Sequence, residues 1–472
     1  MSTPAASAPP ARLNGRIIGI SIGAALGGFL FGFDTAVING AVESIGSQFS
    51  LSAGLQGFAV SSALLGCAAG AWFAGPLANR YGRIPVMLVA AVLFLASSIG
   101  SGLAFGVWDL IVWRVIGGIG VGAASVIAPA YIAEVSPAHV RGRLGSLQQL
   151  AIVLGIFTSL LSNAILAGAA GGAANELWLG QEAWRWMFMA EAVPAVVYGL
   201  FALKLPESPR FLVARGQYDK ASQVLHDFTG IVEVNLKIEE IKKTLNAEKK
   251  ESLRDLRGPR LGLKPIVWIG ILLSVFQQFV GINVIFYYST TLWRSVGFDD
   301  ADSFTVSTIT AVTNVLVTFI AIALVDRIGR KPLLLAGSAG MTLALGTMAV
   351  AFTQATGTGD DVSLPGSWGT IALVAANVFV ISFGASWGPV VWVLLGEMFP
   401  NRIRASALAL AATAQWLANF AITVSFPPMA ANLGLEIVYA MYGAFALLSF
   451  FFVLTKVKET RSRDLEDMED RT

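Results

Sequence analysis

Three ionisable side chains stand alone in long apolar stretches: Asp34 in "GGFLFGFDTAVING" (residues 27–40), Arg114 in "VWRVIGGIG" (112–120) and Glu191 in "MFMAEAVPAVV" (187–197). A charge at the centre of a membrane helix costs about 2.5–3.5 kcal/mol on insertion scales, so each asks for a function. An arginine beside a buried carboxyl favours its ionised form, and loss of water favours its protonated form. A small movement of either group therefore changes proton occupancy. That is the chemistry of a proton carrier, with Asp34 and Arg114 as its pair. The competing reading is a static ion pair that joins two helices.

A second group is polar but uncharged: Gln149, Gln277, Gln278, Asn283, Tyr287, Trp392, Gln415, Trp416 and Asn419. Neutral donors and acceptors beside flat apolar rings suit a hydroxyl-rich ligand in a largely apolar pocket. Taken singly, each of the amides is equally well explained as a hydrogen bond between helices, worth about 0.6 kcal/mol. At 100° per residue, Gln277, Gln278, Asn283 and Tyr287 spread over roughly 220° of an ideal helix, too wide for one cavity. A break near Gly281 is therefore expected. His139 and His226 lie far apart in charged stretches, and Cys67 is the single cysteine, so no metal site and no cofactor is expected. No nucleophile triad or phosphate loop is present to suggest an enzyme.

The elements that hold these residues must cross a membrane. The 472 residues are 55% hydrophobic and 13% charged, against about 45–50% and about 25% in soluble domains. Crossing needs about 20 apolar residues. Twelve stretches qualify, from one near 17–40 to one near 435–456, which predicts an all-α membrane protein embedded in lipid. Between the sixth and seventh lies a charged segment with "VNLKIEEIKKTLNAEKK", whose spacing suits one or two amphipathic surface helices. The expected organisation is a tail over 1–16, a six-helix bundle over 17–205, a cytoplasmic linker over 206–263, a second bundle over 264–456 and a tail over 457–472. With both termini in the cytoplasm, only Arg185 and Arg294 of the 32 Lys and Arg fall outside, and Arg114 lies within a span.

The two halves repeat. "NRYGRIP" after the second span aligns Arg80, Gly82, Arg83 and Pro85 with Arg327, Gly329, Arg330 and Pro332 after the eighth. The spacing Glu134, Pro137, Arg141 after the fourth span recurs as Glu397, Pro400, Arg404 after the tenth. Parallel six-helix repeats are a transporter architecture with a binding site between the halves.

On these residues the chain resembles the sugar porter branch of the major facilitator superfamily from about Arg16 to Glu459. The motifs are "GGFLFGFD", "NRYGR", "DRIGR", "RVIGGIGVG", "YIAEVSPAHVRGR", "PESPR", "QQFVGINVIFYY" and "GPVVWVLLGEMFP". Asn79 stands where the family loop usually has Asp, and "VKETRSRDLED" lacks the Pro and Gly of the usual C-terminal form. The resemblance implies the major facilitator fold, a multi-pass protein of the cell membrane, and a proton-coupled importer of a monosaccharide, such as glucose, that works by alternating access as a monomer. It implies no nucleic-acid partner. It places proton coupling on Asp34 and Arg114, since facilitative relatives carry a neutral residue at the Asp position. It places sugar contacts on Gln149, Gln277, Gln278, Asn283, Trp392 and Gln415. Ile156 stands where some pentose transporters have Gln, which favours a hexose. Glu134, Arg141, Arg80, Arg83, Glu397, Arg404, Arg327 and Arg330 resemble the family's cytoplasmic latches. A facilitative uniporter and a non-transporting sugar sensor are the alternatives.

Overall fold

Apolar composition decides where this chain is helical, and glycine, proline and polar caps decide where each helix stops. The computed structural model describes residues 15–136, 141–227, 233–248, 256–258, 262–295, 297–356, 363–399 and 403–460. Pro137, His139, Pro400, the remainder of both tails and the side chains of Arg141 and Arg404 lie outside the described set. Span one is Gly15–Val37, followed by a tight turn at Ile38–Gly40. Spans two to five are Ala53–Tyr81, Arg83–Gly102, Val107–Val135 and Arg141–Ala170. Span six is made of Ala183–Ala190 and Ala192–Ala202, interrupted at Glu191. Span seven is in pieces, Pro265–Phe279, Ile282–Tyr287 and Ser289–Ser295. Spans eight and nine are Asp300–Ile328 and Arg330–Phe352. Span ten comprises Trp368–Gly384 and Trp387–Met398, and spans eleven and twelve are Arg404–Leu433 and Leu435–Lys456. Among the described residues, eleven of these are long and apolar enough to cross a membrane. The broken sixth is the twelfth.

Between the halves lie three short helices, Pro209–Ala214, Tyr218–Asp227 and Val234–Glu248, where the sequence suggested one or two. Leu212, Val213, Ala221, Val224, Leu225 and Ile238 give them a small core of their own. This linker marks one end of the bundle, here the linker end; the opposite end is the far end. A two-stranded hairpin, β1 (Glu176–Trp178) with β2 (Gln181–Glu182), joins spans five and six at the far end.

Without a hydrophobic drive between helices in lipid, close backbone approach carries much of the packing. A Cβ on Gly66 or Gly70 of span two would meet the carbonyl oxygens of Val115 and Ile119 in span four, and one on Gly118 or Gly122 would meet those of Ala63 and Cys67. In span one a Cβ at Gly23 or Gly27 would press on the side chains of Leu205 or of Tyr198 and Ala124, whereas one at Gly19 would meet nothing within 4 Å. The close approach to backbone is at Gly32, against the Ile152 carbonyl of span five. Across the halves, spans two and eleven pack together, as do spans five and eight.

A proline pair ordinarily ends a helix, yet Pro427 and Pro428 lie inside span eleven. One of the two carbonyls they leave without an N–H partner finds another donor. The Tyr288 hydroxyl donates to Thr423 O at 3.2 Å, and Gly57 of span two abuts Val424 O. Gly66→Leu is expected to push spans two and four apart and lower stability in detergent by about 1–3 kcal/mol. The same change at exposed Gly19 should leave the thermal-shift midpoint where it is.

Candidate functional site

Asp34 and Arg114 meet. Arg114 Nη1 lies 2.8 Å from Asp34 Oδ1 and 3.3 Å from the Asp34 backbone oxygen, with the side chains only 1% and 2% exposed. The guanidinium also sits 5.7 Å from the centre of the Phe188 ring, on span six. Glu191, to which no role could be assigned from its position in the sequence, completes the group. It is 1% exposed, at the interruption in span six, with its carboxyl in hydrogen-bonding reach of the Asp34 carboxyl. Asp34 Oδ2, Glu191 Oε1 and Arg114 Nε make no hydrogen bond. Two carboxylate oxygens cannot bond to each other without a proton between them. Fully ionised, the trio carries one net negative charge away from water; with one proton it is neutral and the idle oxygens gain a donor.

Asp34 borders a cavity without entering it. Phe31 and Thr35, one turn apart on span one, line that cavity; Asp34 lies roughly 80° round the helix from them at 100° per residue. The cavity leaves roughly 110 Å³ of room for small groups to occupy and opens through a mouth to solvent.

All nine neutral candidates line it: Gln149, Gln277, Gln278, Asn283, Tyr287, Trp392, Gln415, Trp416 and Asn419. The break in span seven makes this convergence possible. The helix ends at Phe279, Gly281 turns the chain at φ +82°, and Ile282 restarts it. A side chain at Gly281 would be strained at that φ and would meet the Tyr442 ring. The amides are ordered among themselves. Gln277 Nε2 donates to Trp387 O at 2.9 Å and Gly388 O at 3.2 Å, at the start of the second half of span ten. Gln415 Nε2 donates to Gln277 Oε1 at 2.7 Å, and Asn283 Nδ2 to Gln278 Oε1 at 2.5 Å. Trp416 faces Phe31 with ring centres 5.2 Å apart, so apolar faces from both halves flank the cavity. The interruption in span ten falls at Ser386, with φ −137° and ψ −86°, just before the expected Gly388–Pro389.

The sequence reading missed Thr35, Asn314 and Thr318, which also line the cavity. Asn314 is the one amide side chain of span eight and Thr318 lies one turn beyond it, which was the available signal.

The far end is closed by bonds between the halves. Asn39 Nδ2 donates to Phe286 O at 2.9 Å and Ser289 Oγ at 2.7 Å, Thr290 Oγ1 donates to Asn39 O at 3.0 Å, and Arg294 pairs with Glu43. At the linker end, four of the residues expected to form latches pair within each half. Arg83 holds Glu134 by two bonds, Nε to Oε2 at 2.9 Å and Nη2 to Oε1 at 2.6 Å. Arg330 holds Glu397 alike, at 3.1 and 2.7 Å. Arg80 and Arg327 are exposed outside these pairs.

A third repeated pair, unread in the sequence, completes each latch. Glu207 accepts from the backbone N–H groups of Arg83 and Ile84, and Glu459 from those of Arg330 and Lys331. Ser208 and Thr460 then donate to Glu134 and Glu397. The departure noted at the C-terminal "KET" therefore keeps its contacts.

With this geometry in place, comparison with known proteins is specific. A sequence model described as "Sugar (and other) transporter" matches residues 20–471. The glucose transport protein of Synechocystis sp. is 59% identical over 446 residues, 94% of this chain and 95% of that one. The D-xylose-proton symporter of Escherichia coli K12 is 39% identical, over 96% of this chain and 95% of its own. Among solved structures, an inward open conformation of the xylose transporter from E. coli superposes with a TM-score of 0.81 at 37% identity, covering 96% of this chain and 99% of that one. The proton:xylose symporter bound to 6-bromo-6-deoxy-D-glucose gives 0.80 at 38%, covering 96% and 98%.

Gly281→Ala should weaken binding of the cavity's ligand by about tenfold or more, since the helix break that gathers the amides is lost. Equilibrium binding of labelled glucose to the purified protein measures this. Undiminished affinity would detach the break from ligand binding.

Proposed function

The chain belongs to the sugar transporter family, and on that premise we propose that it imports a monosaccharide, glucose by preference, together with a proton. One observation carries the coupling: Asp34 sits with Arg114 and Glu191, shut from solvent and with hydrogen-bonding atoms unsatisfied, on the same helix that lines the cavity with Phe31 and Thr35. The cycle follows from that arrangement. A proton reaching the Asp34–Glu191 pair from the far side weakens the hold of Arg114 on Asp34 and frees span one to adjust against spans four and six. Sugar enters the cavity, where Gln277, Gln278, Asn283 and Gln415 exchange their mutual bonds for sugar hydroxyls, and Trp392 and Trp416 face its apolar side. Far-end closure through Asn39, Ser289 and Thr290 then goes with opening at the linker end. Sugar leaves, and the proton follows.

The moving bodies in this reading are residues 17–205 and 264–456. The Arg83–Glu134–Glu207 and Arg330–Glu397–Glu459 clusters brace the linker end of each. Glucose is favoured by the 59% identical relative named for it and by Ile156 in the cavity wall. The linker end, with both termini, faces the cytoplasm, and the functional unit is one chain.

Two experiments test this. In proteoliposomes with an imposed proton gradient, Asp34→Asn should exchange labelled glucose by counterflow at rates near the parent protein while losing accumulation against a gradient. Continued accumulation would sink the coupling and leave a uniporter. For orientation, single cysteines at exposed Ala174 and Lys204 should react with an impermeant maleimide from outside the cell and only after permeabilisation, respectively. The reverse pattern inverts the topology.

A further inference from the structure

The hairpin between spans five and six ends on an unusual residue. Trp178 pairs with Gln181, leaving Leu179 and Gly180 as a two-residue turn with φ of +55° and +72°. Such turns favour Asn-Gly because both central residues take positive φ, and a bulky aliphatic side chain adopts that conformation rarely. Leu179 is 88% exposed at the tip and Trp178 53%. The strained conformation thus presents an apolar side chain outward.

The surroundings say what it meets. Trp186, on the first turn of span six, donates its indole N–H to Trp178 O at 3.1 Å and crosses the Trp178 ring edge-to-face at 5.4 Å. Going down span six from Trp186, exposed Val193, Val197 and Leu200 follow at helical spacing on the same face. That stripe belongs to a membrane-spanning helix, so the hairpin tip caps a lipid-facing surface where it reaches the far interface. The neighbouring loop is built alike. Arg185 Nη1 donates to Gly102 O at 3.1 Å and Ala104 O at 2.7 Å, which ties the hairpin's helix to the turn bearing Phe105, 88% exposed. Trp108, 65% exposed, opens span four above exposed Val112, one turn along.

We propose that the Trp178–Leu179 tip and the Phe105–Trp108 turn form a lipid anchor that inserts into the headgroup and acyl boundary of the leaflet at the far end. Amphipathic aromatic rings concentrate at that depth. An outer sugar-binding plate is the competing use for exposed tryptophans, but three of the polar side chains nearby are already engaged. The Trp186 indole bonds Trp178 O, Asn175 Nδ2 bonds Ala170 O, and Glu182 is held by Arg185 and Gln48. The anchor fixes the outer ends of spans four to six relative to the bilayer, on the half that carries Asp34, and rests only on the chain's crossing a membrane.

The test uses the full chain in phosphatidylcholine liposomes, with Cys67→Ala and a nitroxide attached at Leu179→Cys, or separately at Trp178→Cys in case one variant folds poorly. A label at Ala301→Cys, exposed in the other half, is the aqueous reference. Power saturation with oxygen and with a neutral nickel chelate reports depth. The ratio of oxygen to nickel accessibility at 178 and 179 should exceed that at 301 by about fivefold or more. Equal ratios would put the tip in water and overturn the proposal. Protection from both reagents would indicate a second copy, and protection from nickel only on adding glucose would indicate a sugar subsite; either also overturns it.

Discussion

A carboxylate and a guanidinium 2.8 Å apart, shut away from solvent, set the terms for the N-terminal half. Burial of two opposite charges is tolerated only where their attraction and further hydrogen bonds offset lost hydration. Here the further bonds are incomplete. Glu191 brings a second carboxyl with an oxygen that no donor satisfies, and Asp34 Oδ2 and Arg114 Nε stay idle beside it. A structural pair would be expected to use those positions. Leaving them open makes the site sensitive to a single proton, and span one carries the consequence to the cavity because Phe31 and Thr35 lie on its neighbouring face.

A low-dielectric surround also governs the broken helices. Where Pro427 interrupts the backbone ladder, the Tyr288 hydroxyl answers for the freed Thr423 carbonyl. Gln277 also donates to Trp387 O and Gly388 O in the first turn of the second half of span ten. These answers cross between spans, so each break couples two helices. The cavity is walled by such joints, which fits a site that must open by turns to either side.

The linker end repeats one device in both halves. A glutamate caps the start of span three or nine, an arginine there grips a glutamate at the end of span four or ten, and a hydroxyl finishes the second glutamate. The arginines and the latch glutamates were legible because their spacing recurs. The capping pair was not, since Glu207-Ser208 and Glu459-Thr460 lie in segments of different composition and become equivalent only when the halves are folded.

Local composition and period were enough to read a membrane protein with twelve spans in two halves, a break at Gly281 and a charged pair in need of an explanation. Those properties belong to short windows of chain, and hydrocarbon leaves the backbone few alternatives. Everything that depends on which helices become neighbours had to wait for packing. Packing brought Glu191 to Asp34 across 157 residues of chain, added Asn314 and Thr318 to the cavity, and carried the span-eleven helix through two prolines. A lone glutamate or a proline pair looks the same in sequence whatever stands opposite. Only the folded neighbourhood supplies the second carboxyl beside the one, or the hydroxyl that bonds a carbonyl freed by the other.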